Sequence, residues 1–122
     1  MSNMAIYLND IVDVDLNRDG IIRSRLDHSI GKSDDDANRF GVHVLRAGAE
    51  ESLSGVSCNG YFTDSQGNRQ TITGTVSGSV AYVTLTDACY TYAGSFRLAI
   101  KLEDGGVKST VRIVDGMIEN IA

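Results

Sequence analysis

The strict alternation in SFRLAIKL, residues 95–102, is the feature that most restricts what this chain can fold into. Phe96, Leu98, Ile100 and Leu102 fall on one face of an extended segment, with Ser95, Arg97, Ala99 and Lys101 on the other. That period of two belongs to a strand buried on one side only. A turn cluster, Glu103-Asp104-Gly105-Gly106, follows. Beyond it lies VKSTVRIV, in which Val107, Val111 and Ile113 share a face with Ser109, so the two segments read as a β-hairpin. Upstream, RQTITGTV and SVAYVTLT are separated by Ser77-Gly78, small residues suited to a two-residue turn needing positive φ. The polar loop Ser65-Gln66-Gly67-Asn68 joins VSCNGYFTD to RQTITGTV. In TDACYTYAG, Thr86 or Asp87 can cap one short helical turn and Gly94 releases the chain into the next strand, which predicts a connector crossing between sheets.

The first half carries the same signal less clearly. IVDVDL places Val12, Val14 and Leu16 on one face and Asp13, Asp15 and Asn17 on the other, and IIRSRL sets Ile22, Ser24 and Leu26 against Ile21, Arg23 and Arg25. GKSDDDANRF is a polar loop whose acidic run Asp34, Asp35 and Asp36 reads as a solvated surface. FGVHVLRAG is a further strand, and GAEESLSG holds one helical turn. Strands about ten residues apart, joined by Gly-rich turns, predict an all-β fold: a β-sandwich of two antiparallel sheets, immunoglobulin-like or similar, with minimal helix. Val83, Leu85, Phe96, Leu98, Ile100 and Val111 are assigned to its core.

Residues 1–122 fit a single domain, long enough to bury roughly two-thirds of its unfolded surface. The net charge of −5, with Lys and Arg scattered, supplies no general basic field for nucleic acid. MSNMAIYLND lacks a basic segment followed by an apolar one, and no apolar run approaches the roughly 18 residues that span a bilayer. Synthesis and folding in a cytoplasm without membrane association are therefore expected. Cys58 and Cys89 lack the spacing of a zinc site and are too few for a disulfide framework, so they read as small buried thiols, with a bridge between them left open.

Asp15-x-Asn17-x-Asp19-Gly20 matches the start of a calcium loop, making Asp15, Asn17 and Asp19 the candidate metal ligands. The rest of the shell departs from the pattern. Position 9 would be Arg23, position 12 would be Leu26, and the nearest carboxylate, Asp27, comes one place late. The same residues suit a turn: segments 12–16 and 21–26 flank Asn17-Arg18-Asp19-Gly20, and a hairpin there would set Asp13 and Asp15 opposite Arg23 and Arg25. The turn is the preferred reading.

No catalytic or cofactor-binding residues are assigned. His28 and His43 sit in no nucleophile signature, Glu50 and Glu51 have no stated reason to meet the acidic run, and GAEESLSG lacks phosphate-loop spacing. Tyr61, Tyr82, Tyr90 and Tyr92 are the aromatic residues that would make a sugar platform, although packing is their simpler role. That keeps a carbohydrate-binding or adhesive β-module as the alternative function.

Residues 55–118 resemble the N-terminal domain of phage baseplate upper proteins, found in tailed phages and prophages of Gram-positive bacteria. The resemblance rests on a strand ending Gly60-Tyr61-Phe62, Thr73-Gly74-Thr75-Val76-Ser77-Gly78 before a Val/Leu strand, and a short Cys89-Tyr90 turn. It continues through Gly94-x-Phe96-x-Leu98-x-Ile100-Lys101-Leu102 to a last strand ending Arg112-Ile113-Val114-Asp115-Gly116; MAIYLNDIVDVDL matches more loosely. The resemblance implies a non-enzymatic virion protein, a tail or baseplate adaptor that attaches a host-binding device by protein–protein contacts. It also implies a homo-oligomer and partners such as the distal tail protein. Such a domain begins a longer chain, so an end at Ala122 implies a stand-alone adaptor or a truncated remnant.

Overall fold

The computed structural model describes residues 8–31 and 38–120; the acidic run at 34–36 and the first seven residues lie outside these. The strands are β1 (Leu8–Asp15), β2 (Ile22–Arg25), β3 (Ile30–Gly31), β4 (Asn38–Arg46), β5 (Ala49–Glu50) and β6 (Ser57–Thr63). They continue as β7 (Arg69–Thr73), β8 (Thr75–Ser77), β9 (Val80–Thr84), β10 (Gly94–Asp104) and β11 (Val107–Glu119), with one 3-10 turn at Asp87–Tyr90. The first sheet has the order β1-β4-β9-β8 with β5 on β4, and the second β2-β11-β10-β6-β7 with β3 on β11. The all-β, two-sheet architecture expected from periodicity is thus present. Its sheets are mixed rather than wholly antiparallel, because β1 runs parallel to β4, and β2 and β3 run parallel to β11.

The chain visits the sheets in turn: β1 in the first, β2 and β3 in the second, and so on in pairs to β10 and β11. This overturns the first expected hairpin. β1 and β2 belong to different sheets, so Asn17-Arg18-Asp19-Gly20 crosses between layers, and Asp13 faces His43 of β4 rather than an arginine of β2. The other hairpins form as expected, β6 with β7, β8 with β9 and β10 with β11. The two-residue turn of β8–β9 is Gly78-Ser79, one place later than predicted, since Ser77 pairs with Val80. The connector at 86–94 crosses between sheets as read. In place of the helical turn expected in GAEESLSG, the chain pairs Ala49 and Glu50 back onto β4, because Ala47 and Gly48, both with positive φ, make a tight reversal.

At Gly74 one continuous extended segment leaves the second sheet as β7 and enters the first as β8. A Cβ at Gly74 would lie 2.8 Å from the carbonyl oxygens of Cys58 and Tyr82 and from the Cys58 sulfur, so only glycine allows the corner. Inside, Val42, Val44, Phe62, Val83, Leu85, Leu98 and Ile100 are completely buried, with the Phe62 and Phe96 rings stacked at 5.1 Å. All six residues assigned to the core from sequence are buried. Burying such side chains supplies roughly 1.5–3 kcal/mol each.

Candidate functional site

β11 departs from simple alternation in a way that creates the most polar point of the interior. Ile100 pairs with Arg112 and Lys101 with Thr110, leaving Val111 as the extra residue of a β-bulge. Both Val111 and Arg112 then face inward, while Ile113 turns to the outer surface and Val107 is exposed at the hairpin tip. Arg112, 1 % exposed, donates from Nη1 to the carbonyls of Asp10 (2.6 Å) and Gly41 (3.0 Å). Its Nη2 donates to Asp10 Oδ1 (2.7 Å) and its Nε to Ser24 Oγ (3.1 Å). One guanidinium therefore ties β11 and β2 of the second sheet to β1 and β4 of the first. Pattern reading missed it, because the bulge that turns Arg112 inward shifts the alternation by one.

The three candidate calcium ligands are engaged otherwise. Asp15, 2 % exposed, accepts amide hydrogens from Asn17 (3.0 Å), Ala47 (2.9 Å) and Gly48 (2.8 Å), while its own amide donates to Asp19 Oδ2 (2.8 Å). Those donors, Asn17 foremost, hold the Asp15 carboxyl below its usual value, with Arg18 adding to the effect. The side chain thus fastens the sheet-crossing turn to the β4–β5 reversal. Among the described residues no three His, Cys, Asp or Glu side chains converge on a metal position.

His43 sits on the outer face of the first sheet between two carboxylates, with Nδ1 3.0 Å from Asp13 Oδ1 and Nε2 3.1 Å from Glu50 Oε1. Hydrogen bonds to Asp13 and then Glu50 raise its pKa, since both ring nitrogens can donate only in the protonated form. Cys58 and Cys89 are free, buried thiols; burial pushes Cys58 up to about 11 and raises Cys89.

The tyrosines do not assemble. Tyr61 and Tyr82 lie on the outer faces of opposite sheets, beneath Lys101 and Arg39 respectively, and Tyr90 is buried with its hydroxyl accepting from Asn38 Nδ2 (2.8 Å). Tyr92 is exposed beyond the 3-10 turn.

The outer face of the second sheet is different in character. Strand register lays Arg25, Asp115, Arg97, Thr63 and Arg69 in one row across β2, β11, β10, β6 and β7. The next row is Arg23, Ile113, Ala99, Tyr61 and Thr71, and Lys101 stands beyond it beside Asn59. Arg97 grips Asp115 with two bonds, 2.7 and 3.2 Å, which hold that carboxyl below its ordinary value with help from Arg25 and Arg23. An open cleft of about 730 Å³ runs along the first row, its lining including Arg25, Arg69, Arg97 and Met117.

In overall fold the chain is similar to the N-terminal domain of phage TP901-1 ORF48, with a TM-score of 0.54 over 92 % of this chain and 98 % of that one at 9 % identity. No family model matches the chain, and no curated protein matches it in sequence. The likeness is one of fold, and it extends through the first half, where the sequence resemblance was loose.

Proposed function

We propose that this chain is a non-enzymatic structural component of a phage virion, an adaptor of the tail baseplate that attaches a host-binding device through protein–protein contacts. The observation that supports this most is the shared fold with nearly the whole of a phage protein's N-terminal domain, beside the baseplate-protein motifs in residues 55–118. On this reading the chain is made in the bacterial cytoplasm and ends in the tail, with the distal tail protein among its partners. It also self-associates. Two edges favour that: among the described residues β1 and β7 each carry a neighbour on one side only, and no proline blunts either strand. Closed symmetric assembly is the common way of covering such edges. The dispersal of the four tyrosines gives no support to a sugar-binding platform.

Mass spectrometry of purified particles from the encoding strain tests the reading. We expect the chain at a fixed ratio to a tail protein, and gold-labelled antibody at the tail tip. Intact particles that lack the chain would overturn it.

A further inference from the structure

We propose that the outer face of the second sheet docks a carboxylate-rich segment of a partner protein, an inference that rests on the chain acting by protein contact. Five of its eleven Lys and Arg residues, Arg23, Arg25, Arg69, Arg97 and Lys101, stand on the two rows and their border, against the carboxylates of Asp115 in the first row and of Asp64 in the cleft, the latter already accepting from Gln66 and Asn68. This occurs in a chain of net charge −5, so charge has been segregated onto one face. Arg23, Arg25 and Arg69 make no hydrogen bond or ion pair among the described residues, which leaves their forks open to a ligand.

The chemistry they select is visible on the face itself. Arg97 already holds Asp115 in the two-bonded geometry by which a guanidinium recognises a carboxylate. Between the cations lie Ile113, Ala99 and Tyr61, all half-buried, an apolar centre inside a charged border. Arginine and tyrosine are the residues that carry binding energy at protein interfaces. Five strands set the width at about 19 Å, room for a short peptide segment laid across them. A uniformly charged polymer such as nucleic acid fits less well. It would leave the apolar centre unused.

The test titrates ¹⁵N-labelled protein with poly-L-glutamate and, separately, with inorganic polyphosphate of the same charge. Glutamate is expected to shift the amides of Tyr61, Ala99 and Ile113 and the side-chain signals of Arg23, Arg25 and Arg69, with affinity falling as salt rises. Arg25→Glu with Arg69→Glu should weaken binding at least tenfold with an unchanged melting temperature, since both side chains are exposed, whereas Arg18→Glu should leave binding as it was. Shifts that map elsewhere, or polyphosphate binding this face as tightly as glutamate, would overturn the proposal. Particles that incorporate the double variant at the wild-type level would also overturn it while leaving the virion reading intact. If the wild-type chain itself is missing from particles, that reading fails, and the titration still decides the chemistry of the face.

Discussion

Replacing Arg112 by methionine should be among the most damaging single changes available in this chain. Methionine keeps an unbranched apolar stem but donates nothing, so the Asp10 and Gly41 carbonyls, Ser24 Oγ and Asp10 Oδ1 all lose a partner at once. Each buried polar group left unsatisfied costs about 1–3 kcal/mol. The Asp10 side chain is 34 % exposed, so water can take over its carboxylate, and the penalty falls mainly on the two carbonyls. We therefore expect a loss of about 2–5 kcal/mol, against a total stability on the order of 5–15 kcal/mol. For a domain of this size about 3 kcal/mol lowers Tm by roughly 10 °C. Urea unfolding followed by far-UV circular dichroism and by tyrosine emission suits a chain with no tryptophan. A cycle with Asp10→Asn isolates the pair, with an expected coupling above about 1 kcal/mol. Arg112→Lys should recover less than half the loss, because a single ammonium cannot reach acceptors on three strands. A cost for Arg112→Met below about 1 kcal/mol, or a coupling indistinguishable from zero, would refute the view that this guanidinium ties the sheets together.

Other expectations follow from the same structure. Leu98→Ala, at a completely buried site on β10, should cost about 2–5 kcal/mol, and an unmoved urea midpoint would contradict its place in the core. Gly74→Ala should cost about 1–3 kcal/mol or more, because two of the atoms its Cβ would meet are backbone oxygens that cannot move aside; wild-type stability would remove the corner argument. His43 has a raised folded pKa, so its contribution is fully present below the unfolded value of about 6.5 and is lost as pH rises through the folded one. The Tm gap between wild type and His43→Gln should accordingly be wider near about pH 5.5 than near about pH 9, and a gap constant with pH would exclude the carboxylate pairing. Millimolar calcium should leave Tm unchanged, given that both Asp15 oxygens accept amide hydrogens; an upward shift abolished by Asp19→Ala would restore the metal loop.

Much of the architecture was legible in the chain because strand periodicity and turn chemistry are local properties. The faces of residues 96–102, the hairpins at 57–73 and 94–119 and the crossing at 86–94 depend on neighbours within a dozen residues, and local sterics decide them. Alternation states which residues share a face, but it does not state which strand lies alongside. Segments 12–16 and 21–26 alternate equally well whether they pair with each other or with β4 and β11, and only the packing of two layers sends them to different sheets. The same limit hid the outer face, whose cations come from positions 23, 25, 69, 97 and 101 and become neighbours only through register.

Arg112 shows the division most sharply. From sequence it is a charged residue between Val111 and Ile113, which alternation assigns to the solvent side. One unpaired residue in β11 reverses that assignment, and the reversal is stable because Asp10, Gly41 and Ser24, far away in the chain, offer four acceptors at the place where the side chain arrives. Local chemistry thus determined a two-layer β fold with an apolar core. The tertiary structure decided strand partners, sheet crossings and buried charge, since each of these is stabilised by groups that meet only after the layers have closed.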